Sequence, residues 1–272
     1  MSALAADGTD TSFATLATVG DCDRVFVWQA LTKHVVQLGK KQRCKTKTLP
    51  IGSLAITKGR ALWLTATSGP LSTVRLWTAT AKRPTPRQVD TATRDIASND
   101  PQPILVGTAG GGLLPYAEDT AVTILGSDGK VVGTYTATSH VVALAARAGQ
   151  VAVAQDGNRV TVIDSKGNVL SVDLYSTPVT AVAMTSKGLL VQRGTTLELR
   201  RGADARYSTT SPTGVLADAD SRWAAWTDGK SVHVIRLTDN TVVGTYPGTA
   251  AALAGSTLYV ANGKTITIRT LR

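Results

Sequence analysis

The sequence predicts an all-β protein built from seven copies of a four-stranded antiparallel unit. A strand of alternating apolar residues recurs with spacings of about 34 to 49 residues, which is typical of repeat architectures. Only two of the 19 acidic residues are glutamates, and aspartate favours turns whereas glutamate favours helix surfaces. The seven copies of the alternating strand begin at Val25, Val74, Val122, Val160, Leu197, Val232 and Ile266.

The unit at residues 141–174 shows the pattern most clearly. Its four apolar segments are Val141–Ala146, Gln150–Gln155, Arg159–Asp164 and Asn168–Leu174, and Asp156-Gly157 is a typical hairpin turn. Such a sheet cannot bury both faces alone, so neighbouring units must stack on it. By the same pattern the units span residues 2–38, 52–94, 104–138, 141–174, 179–210, 214–246 and 250–272.

The first strands of the units predict how the sheets are arranged. They are rich in small residues, as in Ala143-Leu144-Ala145-Ala146 and Ala252-Leu253-Ala254-Gly255. Alanine and glycine are poor strand formers, so intrinsic propensity does not explain them. Crowding explains them if the sheets converge on one axis, where the innermost strand has the least room. The third strands carry Val, Ile and Trp, which fill the widening gaps further out.

With this plan the chain resembles the β-propeller repeat superfamily, over nearly its whole length. The resemblance is to the general seven-bladed, WD40-like or quinoprotein-like plan of four strands in each blade. Family-specific motifs are missing, because Gln29 follows Trp28 and Thr78 follows Trp77 where a Trp-Asp pair would stand. The resemblance therefore implies a single seven-bladed propeller domain over residues 1–272, and no functional residue is carried over.

The last unit of the sequence pattern has only three strands. Unit one is complete from Ser2, whereas unit seven ends after its third strand, which leaves that strand with an unpaired edge. Either a native N-terminal strand has been trimmed away or the last blade has three strands, and an exposed edge invites pairing with another chain. The ring must then hold through packing of units one and seven.

The charge of the chain is strongly basic. The net charge of +10 and the pI of 9.8 suggest affinity for polyanions, or an arginine-rich surface that keeps a β-protein soluble. The densest cluster lies between units one and two and comprises Lys40, Lys41, Arg43, Lys45 and Lys47. It is either an anion-binding loop or a solvated connection. We expect it to stay separate from a second basic segment, residues 82–87. Aromatic residues do not alternate with these charges, which argues against nucleic acid.

The two cysteines bear on the compartment. Cys22 and Cys44 flank a predicted hairpin, so a disulfide between them is geometrically plausible, although two unrelated thiols remain an alternative. A disulfide would place the protein in an oxidising compartment, extracellular, periplasmic or at the cell surface. Residues 1–4 lead directly into a strand instead of forming a signal peptide, so either a leader has been removed or the protein is cytoplasmic.

No cofactor or metal site is predicted. His34, His140 and His233 lie in different units without metal-ligand spacing, and we interpret them as structural. No apolar run is long enough to span a membrane. Aspartates recur at the turns between second and third strands, where they favour hairpin turns or, alternatively, a cation site. These aspartates are Asp21, Asp23, Asp119, Asp156 and Asp228.

The pattern favours a non-catalytic recognition scaffold, expected to be a monomer, whose loops bind a protein or an anionic polymer. The alternative is a propeller-based hydrolase or lyase. Such an enzyme would need acids, bases or metal ligands near the axis. The first strands there are mostly Ala, Leu, Val and Gly, with Asp218 and Asp220 as the only nearby acids. We therefore predict that the axis is poor in reactive groups and that no catalytic residue is present.

Overall fold

A computed structural model shows the fold of this protein. It describes the backbone of residues 1, 3–7, 10–16, 23–29, 32–39, 49–67, 69–95, 103–201, 204–210, 214–220, 222–239 and 241–272. Side chains are described for the same residues except 10–16, 201 and 204–210. Throughout these residues the regular secondary structure is β-strand and there is no helix.

The strands of the described residues form seven antiparallel sheets, numbered here in chain order. Sheet 1 contains β1 (Ala3–Ala6), β2 (Asp10–Leu16), β3 (Asp23–Gln29) and β4 (His34–Leu38). Sheet 2 contains β5 (Leu54–Thr57), β6 (Arg60–Ala66), β7 (Leu71–Thr80) and β8 (Arg83–Asp95). Sheet 3 contains β9 (Ile104–Val106), β10 (Leu113–Glu118), β11 (Ala121–Gly126) and β12 (Val131–Thr136).

The second half of the chain repeats this order. Sheet 4 contains β13 (Val141–Arg147), β14 (Gln150–Gln155), β15 (Arg159–Asp164) and β16 (Val169–Leu174). Sheet 5 contains β17 (Ala181–Thr185), β18 (Gly188–Arg193), β19 (Thr196–Arg201) and β20 (Asp204–Thr210). Sheet 6 contains β21 (Val215–Ala219), β22 (Trp223–Thr227), β23 (Ser231–Arg236) and β24 (Val242–Pro247), and sheet 7 contains β25 (Ala250–Ala254), β26 (Thr257–Asn262) and β27 (Thr265–Thr270).

Each sheet is a simple meander in which every strand pairs with the next along the chain. Tight turns make this possible, as at Lys58-Gly59 and Ala148-Gly149, where both residues of each pair have positive φ. Two consecutive residues of positive φ are the geometry of the type I′ hairpin turn, whose twist matches that of the flanking strands. The predicted all-β propeller of four-stranded antiparallel sheets is thus confirmed for sheets 1 to 6, and sheet 7 has three strands.

The first strands of the sheets lie innermost and are closely packed, as the small residues predicted. Thr108 donates a backbone hydrogen bond to the carbonyl of Leu144 at 3.0 Å, which joins sheet 3 to the inner strand of sheet 4. At Gly110, an added Cβ would lie 2.3 Å from the carbonyl oxygen of Ala146, a distance that no side chain tolerates. Glycine is therefore required at this position by the close approach of neighbouring backbones.

The hydrophobic core is divided into layers between neighbouring sheets. Between sheets 5 and 6, for example, Leu190 and Leu197 pack with Trp226, and all three are almost fully buried. Burying side chains of this size contributes about 2–3 kcal/mol each. The larger apolar residues of the middle strands thus fill the gaps between sheets, as the sequence pattern predicted.

The ring closes by side-chain packing between sheets 1 and 7. Leu4 of β1 forms one cluster with Ala252, Tyr259 and Ala261 of β25 and β26. The amino group of Met1 also donates a hydrogen bond to a carbonyl of sheet 7. Closure therefore rests on the contact between units one and seven that the sequence predicted, and no strand is exchanged within the described residues.

The outer strands share a β-bulge. In sheets 3 to 6 the pairing of the third and fourth strands shifts by one residue near the start of the fourth strand, and in sheet 2 a one-residue shift lies at Val89 in the middle of β8. A bulge increases the local twist of a strand pair. The outer strand of sheet 3 lies against the last turn of sheet 4, where a Cβ on Gly167 would stand 1.9 Å from the carbonyl oxygen of Thr134.

Within the described part of the chain, no helix is long and apolar enough to cross a membrane.

Candidate functional site

All seven sheets contribute to a cavity on the axis, of about 390 Å³. Because every first strand runs in the same direction along the axis, the carboxyl-terminal ends of these strands meet at one end of the ring. The cavity lies at that end. Its polar side chains include Asp7, Arg147, Asp218 and Asp220, which come from sheets 1, 4 and 6, and we call this set the axial cluster.

Asp218 lies near the end of β21, where its carboxylate joins two inner strands. Its Oδ2 accepts a hydrogen bond from the backbone N–H of Leu253 in sheet 7, and its Oδ1 accepts one from Ala219, both at 2.8 Å. Burial of the carboxyl raises its pKa to about 7, although the two backbone donors act in the opposite direction. Asp218 is therefore poised to gain or lose a proton near neutral pH.

Asp220 pairs with Arg147 across the axis. The Nη2 atom of Arg147 lies 2.6 Å from Oδ1 of Asp220, and the two side chains are 29% and 12% exposed. The other carboxylate oxygen of Asp220 accepts a hydrogen bond from the backbone N–H of Gly255. This ion pair links sheets 4, 6 and 7, and its partial exposure leaves it open to the cavity.

Asp7 completes the axial cluster from sheet 1. Its Oδ2 accepts a hydrogen bond from the backbone N–H of Gly59 at 3.0 Å, which joins sheets 1 and 2 at the first turn of sheet 2. Asp7, Asp218 and Asp220 thus all bind backbone donors of a neighbouring sheet. Three carboxylates and one guanidinium form an acidic site that is suited to ligands with hydrogen-bond donors or positive charge.

The prediction that the axis is poor in reactive groups is wrong. Asp218 and Asp220 were identified from the sequence, whereas Asp7 and Arg147 were not. An alignment of the first strands at their carboxyl-terminal ends would have indicated both, because each polar side chain follows the small apolar run of its strand. The sequence did not show that the carboxyl-terminal ends of first strands from distant units meet at the axis.

The main predicted binding residues lie outside the described residues. This holds for Lys40, Lys41, Arg43, Lys45 and Lys47, and for the predicted disulfide of Cys22 and Cys44. Those assignments therefore remain predictions.

The expected separation of the two basic segments stays a prediction, because the first segment lies outside the described residues. The backbone N–H of Gly39, which directly precedes the first segment, donates a 2.8 Å hydrogen bond to the carbonyl of Pro84 in the second. The outer strand of sheet 1 ends against the last turn of sheet 2, as sheet 3 does against sheet 4. The twist of the outer strands brings the end of β4 close to the last turn of sheet 2. The alternation of strand directions along the chain does not by itself predict this contact.

The aspartates between second and third strands stabilise turns and loops. Asp228 accepts backbone hydrogen bonds from Ser231 and Lys230, and these hydrogen bonds lower the pKa of its carboxyl. Asp156 accepts one from the following glycine, and Asp23 accepts one from Ile51 at 2.9 Å. The turn interpretation is confirmed for Asp156 and Asp228, whereas Asp23 binds the connection between sheets 1 and 2 and Asp21 lies outside the described residues. Among the described side chains, no group of three metal-binding residues occurs.

Two histidines have partners within the fold. His233 stacks on Trp226 with ring centroids 5.6 Å apart, and its Nδ1 lies 3.0 Å from the hydroxyl of Thr245. His140 lies 2.9 Å from the carboxylate of Asp119. Both contacts agree with the structural interpretation of these residues.

The fold resembles solved WD40 propellers. A chain from the crystal structure of the mitotic checkpoint complex matches with a TM-score of 0.64 and 13% identity, over 100% of this chain and 90% of that one. The Pan2 WD40 domain of Neurospora crassa matches with a TM-score of 0.56 and 11% identity, over 82% of this chain and 76% of that one. The computationally designed Ika8 protein matches with a TM-score of 0.56 and 12% identity, over 99% and 96%.

These likenesses establish a WD40-like β-propeller fold. At 11–13% identity they show the fold alone. No protein-family model matches the sequence, and no curated protein matches it.

Proposed function

We propose that this protein is a non-catalytic recognition scaffold that binds an extended segment of a partner protein at sheet 7. In this proposal, residues 1–272 form one propeller domain, and sheet 7 is its seventh blade. One of the similar folds belongs to a chain of the mitotic checkpoint complex, which is consistent with a role in protein assembly. The observation that carries the proposal is the free edge of β27.

Sheet 7 is the one sheet of the described structure that lacks a fourth strand. The outer edge of β27 therefore presents backbone N–H and C=O groups at the position where sheets 1 to 6 have a paired strand. An exposed edge of this kind is a template for the addition of another strand. The six complete sheets also indicate the occupant, which is an antiparallel β-strand.

The side chains of β27 support this interpretation. Ile268 pairs with the middle of β26, as Val162 and Val234 pair with the middle of the second strands of sheets 4 and 6. Val162 is 9% exposed and Val234 is 0% exposed, whereas Ile268 is 47% exposed. The apolar pattern of a covered strand is therefore present in β27, but no fourth strand covers it within the described residues.

The positive charge of sheet 7 indicates the charge of the partner strand that would pair with β27. Residues 257–272 include Lys264, Arg269 and Arg272 and contain no acidic residue. Opposite charges on paired strands are favourable, and like charges are unfavourable. We therefore propose a partner segment that alternates β-branched residues with Asp or Glu.

Selection from a random peptide-display library on the immobilised protein tests the proposal. We expect the selected peptides to alternate β-branched and acidic residues. Their binding should be lost in an Ile268→Asp variant, which places a negative charge against the incoming strand. Val172→Asp is the matched control, since Val172 is similarly exposed at 43% but lies on the outer strand of the complete sheet 4. Selected peptides that bind Ile268→Asp as well as the wild type would refute the proposal.

The axial cluster supports a second candidate, a hydrolase or lyase with an axial site. The favourable observation is a carboxyl group with a pKa of about 7 beside an Arg147–Asp220 ion pair, in a cavity of the size that takes a small ligand. Against it, Asp7, Asp218 and Asp220 are all used as acceptors for backbone groups. A panel of ester, glycoside and uronide substrates tests this candidate, with Asp218→Asn as the inactive variant. Turnover by the wild type that the variant lacks would favour the enzyme over the scaffold.

A further inference from the structure

A groove between sheets 2 and 3 is lined by several positive charges. It has a volume of about 540 Å³ and lies beside the last turns of both sheets. Its charged lining residues are Arg60, Arg83, Arg87 and Lys130, with Asp128 as the single acid. Four cations against one carboxylate leave an excess of three positive charges.

Two of the arginines are held in place by the turn of sheet 3. Arg60 donates from Nε to the carbonyl of Ser127 at 2.8 Å, and Arg87 donates from Nη2 to the carbonyl of Gly129 at 2.7 Å. A guanidinium has five N–H donors, so each of these arginines has further donors for a ligand. The anchoring fixes both side chains before any ligand arrives, which reduces the entropy lost on binding.

The positive charges are not neutralised by the protein. Among the described residues, none of the four cations lies within 4.0 Å of a carboxylate in an ion pair, and Asp128 accepts a hydrogen bond from the backbone of Lys130. Burial lowers the pKa of Arg60, the charges of Arg87 and Arg83 lower it further, and Asp128 partly offsets them. The guanidinium groups are therefore close enough to repel one another, and an anion between them would relieve that repulsion.

Part of the remaining wall of the groove is apolar. Val131 of sheet 3 is 59% exposed and Val89, in the bulge of β8, is half-buried, whereas Tyr116 and Leu125 are almost fully buried. A bare inorganic anion would leave this wall uncovered. We propose that the groove binds an organic phosphate monoester, with the phosphate held by the arginines and Lys130 and the apolar body against Val89 and Val131.

A phosphate suits the lining better than a carboxylate does. Arginine forks bind phosphate oxygens in pairs, and a phosphate monoester carries close to two negative charges at neutral pH. A single carboxylate would neutralise only one of the three excess charges. This site is separate from β27, so it does not depend on the strand-addition proposal.

Isothermal titration with phenyl phosphate and with inorganic phosphate tests the proposal, with ionic strength held constant by potassium chloride. We expect phenyl phosphate to bind at least several-fold more tightly than inorganic phosphate, because only phenyl phosphate covers the apolar wall. The Arg83→Gln and Lys130→Gln variants should each weaken phenyl phosphate binding about tenfold. Both side chains are exposed, so these variants are expected to fold.

The matched control is Arg236→Gln. Arg236 is also a surface arginine, but it pairs with Asp239 in sheet 6, at 3.0 Å, away from the groove. The Arg236→Gln variant should bind phenyl phosphate as tightly as the wild type does. The proposal is overturned if the wild type binds neither probe, if inorganic phosphate binds as tightly as phenyl phosphate, or if the control loses as much affinity as the groove variants.

Discussion

The raised pKa of Asp218 predicts how the stability of this protein depends on pH. Its carboxyl has a pKa of about 7 in the folded chain, against an ordinary value of 3.8. At a pH between these two pKa values, the carboxyl of Asp218 is protonated in the folded protein but ionised in the unfolded chain. Folding is therefore favoured at the lower pH, and the free energy of unfolding should fall as the pH rises from about 4 to about 7.

The size of the effect follows from the shift. Each unit of pKa corresponds to about 1.4 kcal/mol, so a shift of roughly three units corresponds to about 4 kcal/mol as an upper value. Asp218→Asn removes the titrating group while keeping the shape of the side chain. The variant loses one acceptor for the backbone N–H groups of Leu253 and Ala219, which should lower its stability by about 1–3 kcal/mol at every pH.

Urea unfolding at four pH values from 4.5 to 7.5, at constant ionic strength, measures this effect. The loss of stability with rising pH should be smaller in Asp218→Asn than in the wild type, by up to about 4 kcal/mol over the whole window. Burial also raises the pKa of Glu118, but that slope is common to both proteins and cancels in the difference. Parallel pH profiles of the two proteins would refute the assignment of the proton to Asp218.

Three further predictions concern the turns, the last strand and the cysteines. Gly167→Ala should destabilise the protein by about 3 kcal/mol or more in urea unfolding, because the new Cβ would lie 1.9 Å from a carbonyl oxygen. Gly157→Ala is the control, since Gly157 has nearly the same φ but no atom near the position of the Cβ, and it should cost only about 1–2 kcal/mol. Deletion of residues 265–272 removes β27 and a buried leucine, and should lower the Tm by more than about 5 °C; an unchanged Tm would contradict closure by sheet 7. If Cys22 and Cys44 form a disulfide, thiol titration of the unreduced, denatured protein should find no free thiol, whereas two free thiols would exclude the bridge.

The fold was largely predictable because the signals that specify it are local. The alternation in Val160–Ile163 has the period of a strand, and Asp156-Gly157 has the preferences of a hairpin turn, so strand and connection can be identified within one unit. The small residues of Ala143–Ala146 added the one long-range inference, that these strands meet at a crowded axis. The recurrent bulge escaped prediction, because a one-residue shift in pairing depends on contacts with the next sheet.

By itself, the sequence determined the sheets and their order, because backbone pairing and turn geometry are set by neighbouring residues. Only the tertiary structure decided which polar groups share a site. Arg147 meets Asp220 on the axis, and Arg60 and Arg87 meet Lys130 in the groove, although each pair is separated by one or more strands. Such sites depend on the twist of the sheets and on the closure of the ring, which sum small rotations over the whole chain.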